Sequence, residues 1–229
     1  MSKVKTEMIA FPSNGDTTPG YLARPQDEEA HPGLVVIQEW WGLVPHIKDV
    51  AQRFAAQGFI ALAPDLYHGQ AASEPDEARK LAMELEEARA VAEIQAAVRF
   101  LQGMQTVSPK KIGVVGWCMG GHLTLSTAAE SRALGAAVAF YGRPRDVGMA
   151  AQIEAPVLGL YGEHDHGIPV ELVRQFDQAL EQHGVAHEIR IYPGAGHAFF
   201  NDTRPQIYDP EAARDAWQRT LDWFRRYLV

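Results

Sequence analysis

The chain is 229 residues long with 46% apolar, 22% charged and 9% aromatic residues, a composition that suits a folded domain with a sizeable core and excludes disordered and fibrous classes. Twenty-nine Asp and Glu against 21 Lys and Arg leave a formal charge of -8, which repels nucleic-acid phosphates and anionic membrane surfaces at long range. A single cysteine, Cys118, excludes an internal disulfide and a multi-cysteine metal site.

The opening Met1-Ser-Lys-Val-Lys-Thr-Glu-Met8 has no apolar stretch of signal-peptide length, and no uncharged run approaches the ~20 residues of a bilayer span, so a soluble cytoplasmic protein is expected. Glu7–Phe11 and Gly20–Arg24 flank the turn-rich residues 12–19 and predict an N-terminal hairpin. From Gly33 onward the pattern changes. Leu34–Gln38, Phe59–Ala63, Ile112–Gly116, Gly135–Tyr141, Val157–Tyr161 and Glu188–Tyr192 are short apolar runs without strict alternation, as in strands buried on both faces.

Between the strands lie helical patterns. Ile47, Val50, Ala51 and Phe54 fall at helical spacing and stop at Gly58, and Val173, Phe176 and Leu180 do the same before Gly184. A final helix starts at Pro210 behind Asp209 as its N-cap. Residues 76–104, rich in Ala, Glu, Arg and Leu, predict one helix or two, longer than a crossover requires. The alternation defines one α/β domain over residues 1–229, with a mostly parallel sheet, helices on both faces and an antiparallel hairpin in front. Ligands in such sheets bind at the carboxyl ends of the strands.

Lys111–Leu125 runs an apolar strand into Gly116-Trp117-Cys118-Met119-Gly120 and then into a helix. This is a glycine-x-nucleophile-x-glycine elbow in the strand–turn–helix context that gives the pattern meaning, with cysteine in place of serine. A helix N-terminus beneath the thiol favours thiolate. Elbow hydrolases place an acid and then a histidine downstream. The strand Val157–Tyr161 ends in a loop carrying Asp165, with Glu163 as a competing acid, and the strand ending at Tyr192 leads into a glycine-flanked loop carrying His197. His164-x-His166 could ligate a metal, but no third ligand stands at a recognisable spacing, so no metal and no cofactor are expected.

Gln38-Glu-Trp-Trp-Gly42, Ala63-Pro-Asp-Leu-Tyr67, Gly116-Trp-Cys-Met-Gly-Gly121, Gly162-Glu-His-Asp-His166 and Gly194-Ala-Gly-His-Ala-Phe199 together resemble the dienelactone hydrolases, or carboxymethylenebutenolidases, of the α/β-hydrolase fold, over nearly the whole chain. The resemblance implies a triad of Cys118, Asp165 and His197, the same residues that the elbow and loop positions single out. It also implies that Glu39 keeps the resting thiol quiet and that the backbone N–H groups of Trp40 and Met119 form the oxyanion hole. In the catabolic members two arginines hold the substrate carboxylate. Arg79 is a candidate for the first and Arg143 for a cation from another direction, but the position four residues after the catalytic histidine holds Asn201 instead of arginine.

Thiolate chemistry narrows the substrate. A thiolate leaves a tetrahedral intermediate more readily than an alkoxide of high pKa, so simple alkyl esters should be poor substrates and enol esters or enol lactones good ones. The expected function is opening of an enol lactone or activated ester, from dienelactone to maleylacetate in type, through an acyl thioester. The alternatives are a general carboxylesterase or thioesterase, and a non-catalytic small-molecule-binding protein. The expected partner is that small ester or lactone, with no nucleic acid and no membrane, on a monomer or small homo-oligomer.

Overall fold

Residues 3–229 are described by a computed structural model, in which the chain divides into two units, Met1–Val114 and Val115–Val229. The first opens with the expected hairpin, β1 (Val4–Ser13) against β2 (Asp16–Pro25). The strands run further into the turn-rich segment than the sequence pattern suggested, because Ser13 already pairs with Asp16 and only Asn14-Gly15 remain to reverse the chain. Both turn residues have positive φ, 51° and 81°, the requirement of the two-residue turn that matches strand twist and that Asn-Gly meets at least cost.

β3 (Gly33–Ile37) and β4 (Ile60–Pro64) complete this part of the sheet in the order β1-β2-β4-β3, with β4 antiparallel to β2 and parallel to β3. All ten residues of β3 and β4 are buried, which explains their unbroken apolar pattern. Helix α1 (Pro45–Ala56) starts on a proline and buries Ile47, Val50, Ala51 and Phe54 against β2 and β4. Gly58 follows it at φ 90°, where a side chain would be strained.

The segment between β4 and β5 is two helices, α2 (Pro75–Glu84) and α3 (Glu87–Gly103), separated by the extended pair Leu85-Glu86. Their anchoring differs. Helix α3 buries a long stripe including Val91, Ile94, Val98 and Leu101, whereas α2 buries only Ala78, which packs with Trp41 and Ala72 beside Trp40, Val44 and Leu81. One continuous helix could not serve both anchors.

Strand β5 (Ile112–Trp117) carries the chain into the second unit, followed by α4 (Met119–Glu130), β6 (Leu134–Phe140), a 3₁₀ turn (Val147–Gln152), β7 (Val157–Gly162), α5 (Val170–Gln182), β8 (His187–Tyr192) and α6 (Pro210–Leu228). β7 lies between β6 and β8 and is parallel to both. Helix α5 ends before Gly184 at φ 67°, and α6 begins where Asp209 accepts hydrogen bonds from the N–H groups of Glu211 and Ala212. Trp117, Phe140, Tyr141, Tyr161, Phe176, Phe199 and Phe224 are all fully buried. At roughly 1.5–3 kcal/mol for each large apolar side chain removed from water, such residues hold the unit together. Apart from the hairpin and its pairing with β4, the described pairings are parallel and alternate with helices, so the fold class is the expected α/β. No helix among the described residues is long and apolar enough to cross a membrane.

Candidate active site

Cys118 stands between the last residue of β5 and the first of α4 with φ 56° and ψ -114°, a conformation that L residues adopt only under constraint. The constraint is visible on both sides. Its N–H donates to the Phe140 carbonyl at 3.0 Å and its own carbonyl accepts from His122 N–H at 3.0 Å. A Cβ on Gly116 would lie 2.1 Å from the Gly120 oxygen, and one on Gly121 would lie 2.5 Å from the Phe140 oxygen. The glycines are therefore required by close backbone approach, and that approach leaves the half-buried thiol at the head of α4. Met119, the candidate oxyanion donor, is the first residue of that helix.

The loops after β7 and β8 bring Asp165 and His197 together. Asp165 Oδ2 sits 2.6 Å from His197 Nδ1, while its Oδ1 accepts from the N–H groups of Gly167 at 2.9 Å and Ile168 at 3.1 Å. Both oxygens of this buried carboxylate are thus engaged, by three donors in all. His197 is also hydrogen-bonded to Cys118. Burial alone would lower the imidazolium pKa, but the hydrogen bonds to Asp165 and Cys118 and their negative charges outweigh it and push the value up to about 10. The imidazole is accordingly charged at neutral pH. A groove of about 950 Å³ lies against Asp165 and His197, with His164, His166, Ile207 and Tyr208 among its other walls.

Of the competing acids, Glu163 points elsewhere: it is half exposed and accepts from Gly194 N–H at 3.0 Å. Glu39 and Trp40 belong to the first unit. Glu39 is only 1% exposed, and the Trp40 carbonyl accepts from the Tyr67 hydroxyl at 3.2 Å. Arg79, in the same unit, is an exposed residue of α2 paired with Asp76 at 3.4 Å. In the second unit Arg143 is exposed but donates to the Gly167 carbonyl at 2.8 Å, bracing the loop that carries Asp165. Asn201 is buried and caps a turn, its Oδ1 accepting from Thr203 N–H at 3.1 Å and Thr203 Oγ1 at 2.6 Å.

Two residues at the site carried no signal in the sequence pattern beyond their place at strand ends, Tyr141 and Tyr161. Tyr141 has φ 38° and its ring lies 5.1 Å from that of His197, while the Tyr161 hydroxyl donates to the Gly142 carbonyl at 3.1 Å.

A strained elbow residue after one strand, a carboxylate after a later one and an imidazole after the next, on an α/β sheet with an antiparallel start, define an α/β-hydrolase. The dienelactone hydrolase family model matches residues 18–228. The chain is 38% identical to Protein usf of Aquifex pyrophilus over 97% of this chain and 99% of that one. It is also 38% identical to a Methylorubrum extorquens protein provisionally named carboxymethylenebutenolidase, over 96% and 81%. A crystal structure from Klebsiella pneumoniae, provisionally called a dienelactone hydrolase, superposes with a TM-score of 0.91 at 34% identity, covering 98% of this chain and all of that one. The chain belongs to the dienelactone hydrolase family and is a hydrolase.

Proposed function

We propose that the protein opens an enol lactone or an activated ester with Cys118 as nucleophile, through an acyl thioester. The observation that carries this reading is the pairing of His197 with both Cys118 and Asp165 beside a positive-φ elbow. The Cys118 thiolate attacks the acyl carbon and the carbonyl oxygen becomes an oxyanion next to the Met119 N–H. Collapse expels the enolate, which takes the proton held on His197. Acylation removes the negative charge from sulfur and with it one cause of the raised imidazolium pKa, so the now neutral His197 can accept a proton from water as that water attacks the thioester. Hydrolysis returns the acid product, the free Cys118 sulfur and the proton on His197, ready for transfer between the two.

The provisional name carboxymethylenebutenolidase on the Methylorubrum relative supports the lactone side of the reading. Asn201 favours a second one, a general ester or thioester hydrolase that needs no carboxylate on its substrate. Asn201 occupies the place of the catabolic arginine and is committed to its own turn. One panel separates the two: cis- and trans-dienelactone, 4-nitrophenyl acetate and ethyl acetate, each quenched in acid for intact-mass measurement. Dienelactone turned over at least tenfold more efficiently than the aryl ester, with an acyl mass gain on the Cys118 peptide, supports the first reading. Equal or reversed preference supports the second, and an acyl group found elsewhere overturns both.

The role that the family resemblance implies for Glu39 enters the same proposal. Removing its charge in Glu39→Gln should raise the iodoacetamide alkylation rate of Cys118 near pH 6 by several-fold, and a rate no higher than wild type removes that role.

A further inference from the structure

The least comfortable residue near His197 is Tyr141. It follows β6 directly, is fully buried, and has φ 38°, a left-handed value that an aromatic side chain rarely accepts, although Gly142 stands next to it. Strain of this kind persists only where neighbours over-determine it. They do so here. The Tyr141 N–H donates to the Leu160 carbonyl at 2.7 Å, the following Gly142 carbonyl accepts from Tyr161 Oη, and a Cβ on Gly142 would lie 2.3 Å from the Gly121 carbonyl carbon. The clamped backbone directs the ring toward the imidazole, with centroids 5.1 Å apart and planes inclined by 59°. Phe199 backs it edge-on at 5.4 Å, and Tyr192 in turn meets Phe199 at 5.1 Å.

We infer that Tyr141 is a positioning residue for His197, its ring fixing the imidazole between Asp165 and Cys118 and favouring the imidazolium that this pairing requires. Every residue with a Cβ carries this backbone strain and only glycine relieves it, so what tyrosine adds at this position is its ring. An aromatic face within about 6 Å of a cation attracts it through the ring quadrupole, more strongly in a desolvated site than in water. The aromatic contact also closes a side of the imidazole that no hydrogen bond holds. The titratable and charged groups facing His197 are Asp165 and Cys118 in direct contact and His164, His166, Asp209 and Glu211 along the groove. Removing the Tyr141 ring leaves the charges of all these groups in place, so the aromatic effect is separable from theirs.

This inference rests on the cysteine-hydrolase reading for its effect on turnover but not for its effect on protonation, and the test reads both. The His197 imidazolium is titrated by the NMR signal of its Cε1–H, and kcat and KM are measured with 4-nitrophenyl acetate, in wild type, Tyr141→Leu, Tyr141→Gly and Tyr141→Phe. Loss of the ring in the Leu and Gly variants should lower the titration midpoint by about one unit and kcat roughly tenfold with KM nearly unchanged. Tyr141→Phe, which restores the ring without the hydroxyl, should rescue both. Gly suits the left-handed backbone, so it decides the matter if the Leu variant misfolds. A wild-type midpoint and kcat in the Leu or Gly variant overturns the inference, as does a Phe variant as impaired as Leu. A shifted midpoint in a protein whose wild type shows no cysteine-dependent turnover keeps the inference and removes the hydrolase reading.

Discussion

Cys118→Ala should lower kcat toward an aryl ester by at least about a thousandfold and abolish iodoacetamide labelling, while leaving the melting temperature close to wild type. The size follows from what the side chain does. On the proposed mechanism, removing the sulfur removes the atom that forms the acyl intermediate, so what survives is water attack aided by the remaining positioning and oxyanion stabilisation. The small thermal effect follows from the local backbone. The elbow is held by the Cys118 N–H to the Phe140 carbonyl and by the close approach of Gly116 to Gly120, neither of which involves the thiol. Alanine suffers no more than cysteine from φ 56°, since both carry a Cβ. Cys118→Ser is the sharper companion. It keeps a hydroxyl in place, but His197 then faces a neutral alcohol, loses the charge that helps hold it protonated, and must work as a base from the start. Near-wild-type hydrolysis by the alanine variant would place the nucleophile elsewhere.

The reach of sequence reasoning differed by element for identifiable reasons. The strands from β3 to β7 were legible because a strand buried on both faces has no choice but an unbroken apolar run, and the stops of α1 and α5 because Gly58 and Gly184 occupy positive φ. By contrast β8, with only Tyr192 buried, is the part-exposed last strand. The break at Leu85-Glu86 was not legible: neither residue is a helix breaker, and the interruption is set by two separate anchors, Ala78 on Trp41 for α2 and the Val91-to-Leu101 stripe for α3. The hairpin was legible in kind but not in length, since Pro12 and Pro19 obscured the stronger local signal of Asn14-Gly15.

At the site, loop position alone preferred Asp165 over Glu163; Asp165 meets His197 Nδ1, and Glu163 meets the Gly194 N–H. The burial of Glu39, the turn made by Asn201 and the tether of Arg143 to the Gly167 carbonyl depend on neighbours distant in sequence. Tyr141 is the extreme case. A tyrosine after an apolar strand carries no mark that its backbone is left-handed.

The second large effect belongs to Asp165→Asn, and it turns on which end of the amide faces inward. In wild type Oδ1 accepts from Gly167 and Ile168 N–H, leaving Oδ2 to hold the Nδ1–H of His197 at 2.6 Å. An asparagine must still offer an oxygen to those two backbone donors, because leaving them unsatisfied in a buried loop costs about 1–3 kcal/mol each. Its NH2 group therefore turns toward His197, whose Nδ1 must become an acceptor. The ring proton moves to the nitrogen facing Cys118, and the imidazole can no longer take a proton from there. Loss of the carboxylate charge and hydrogen bond also lowers the imidazolium pKa from about 10 toward its ordinary value. On the scale of the corresponding change in serine triads, kcat should fall by roughly 10³–10⁴ with KM little altered. Stability follows the same proton. A raised imidazolium pKa stabilises the fold fully below the unfolded value of 6.5, and that stability is lost as pH rises through about 10. Wild type should thus lose melting temperature between pH 7 and 10 more steeply than Asp165→Asn. Glu163→Gln is the control, since Glu163 contacts the Gly194 N–H and not His197, and its kcat should stay within twofold of wild type. If Asp165→Asn retains kcat within tenfold while Glu163→Gln does not, the acid has been assigned to the wrong residue.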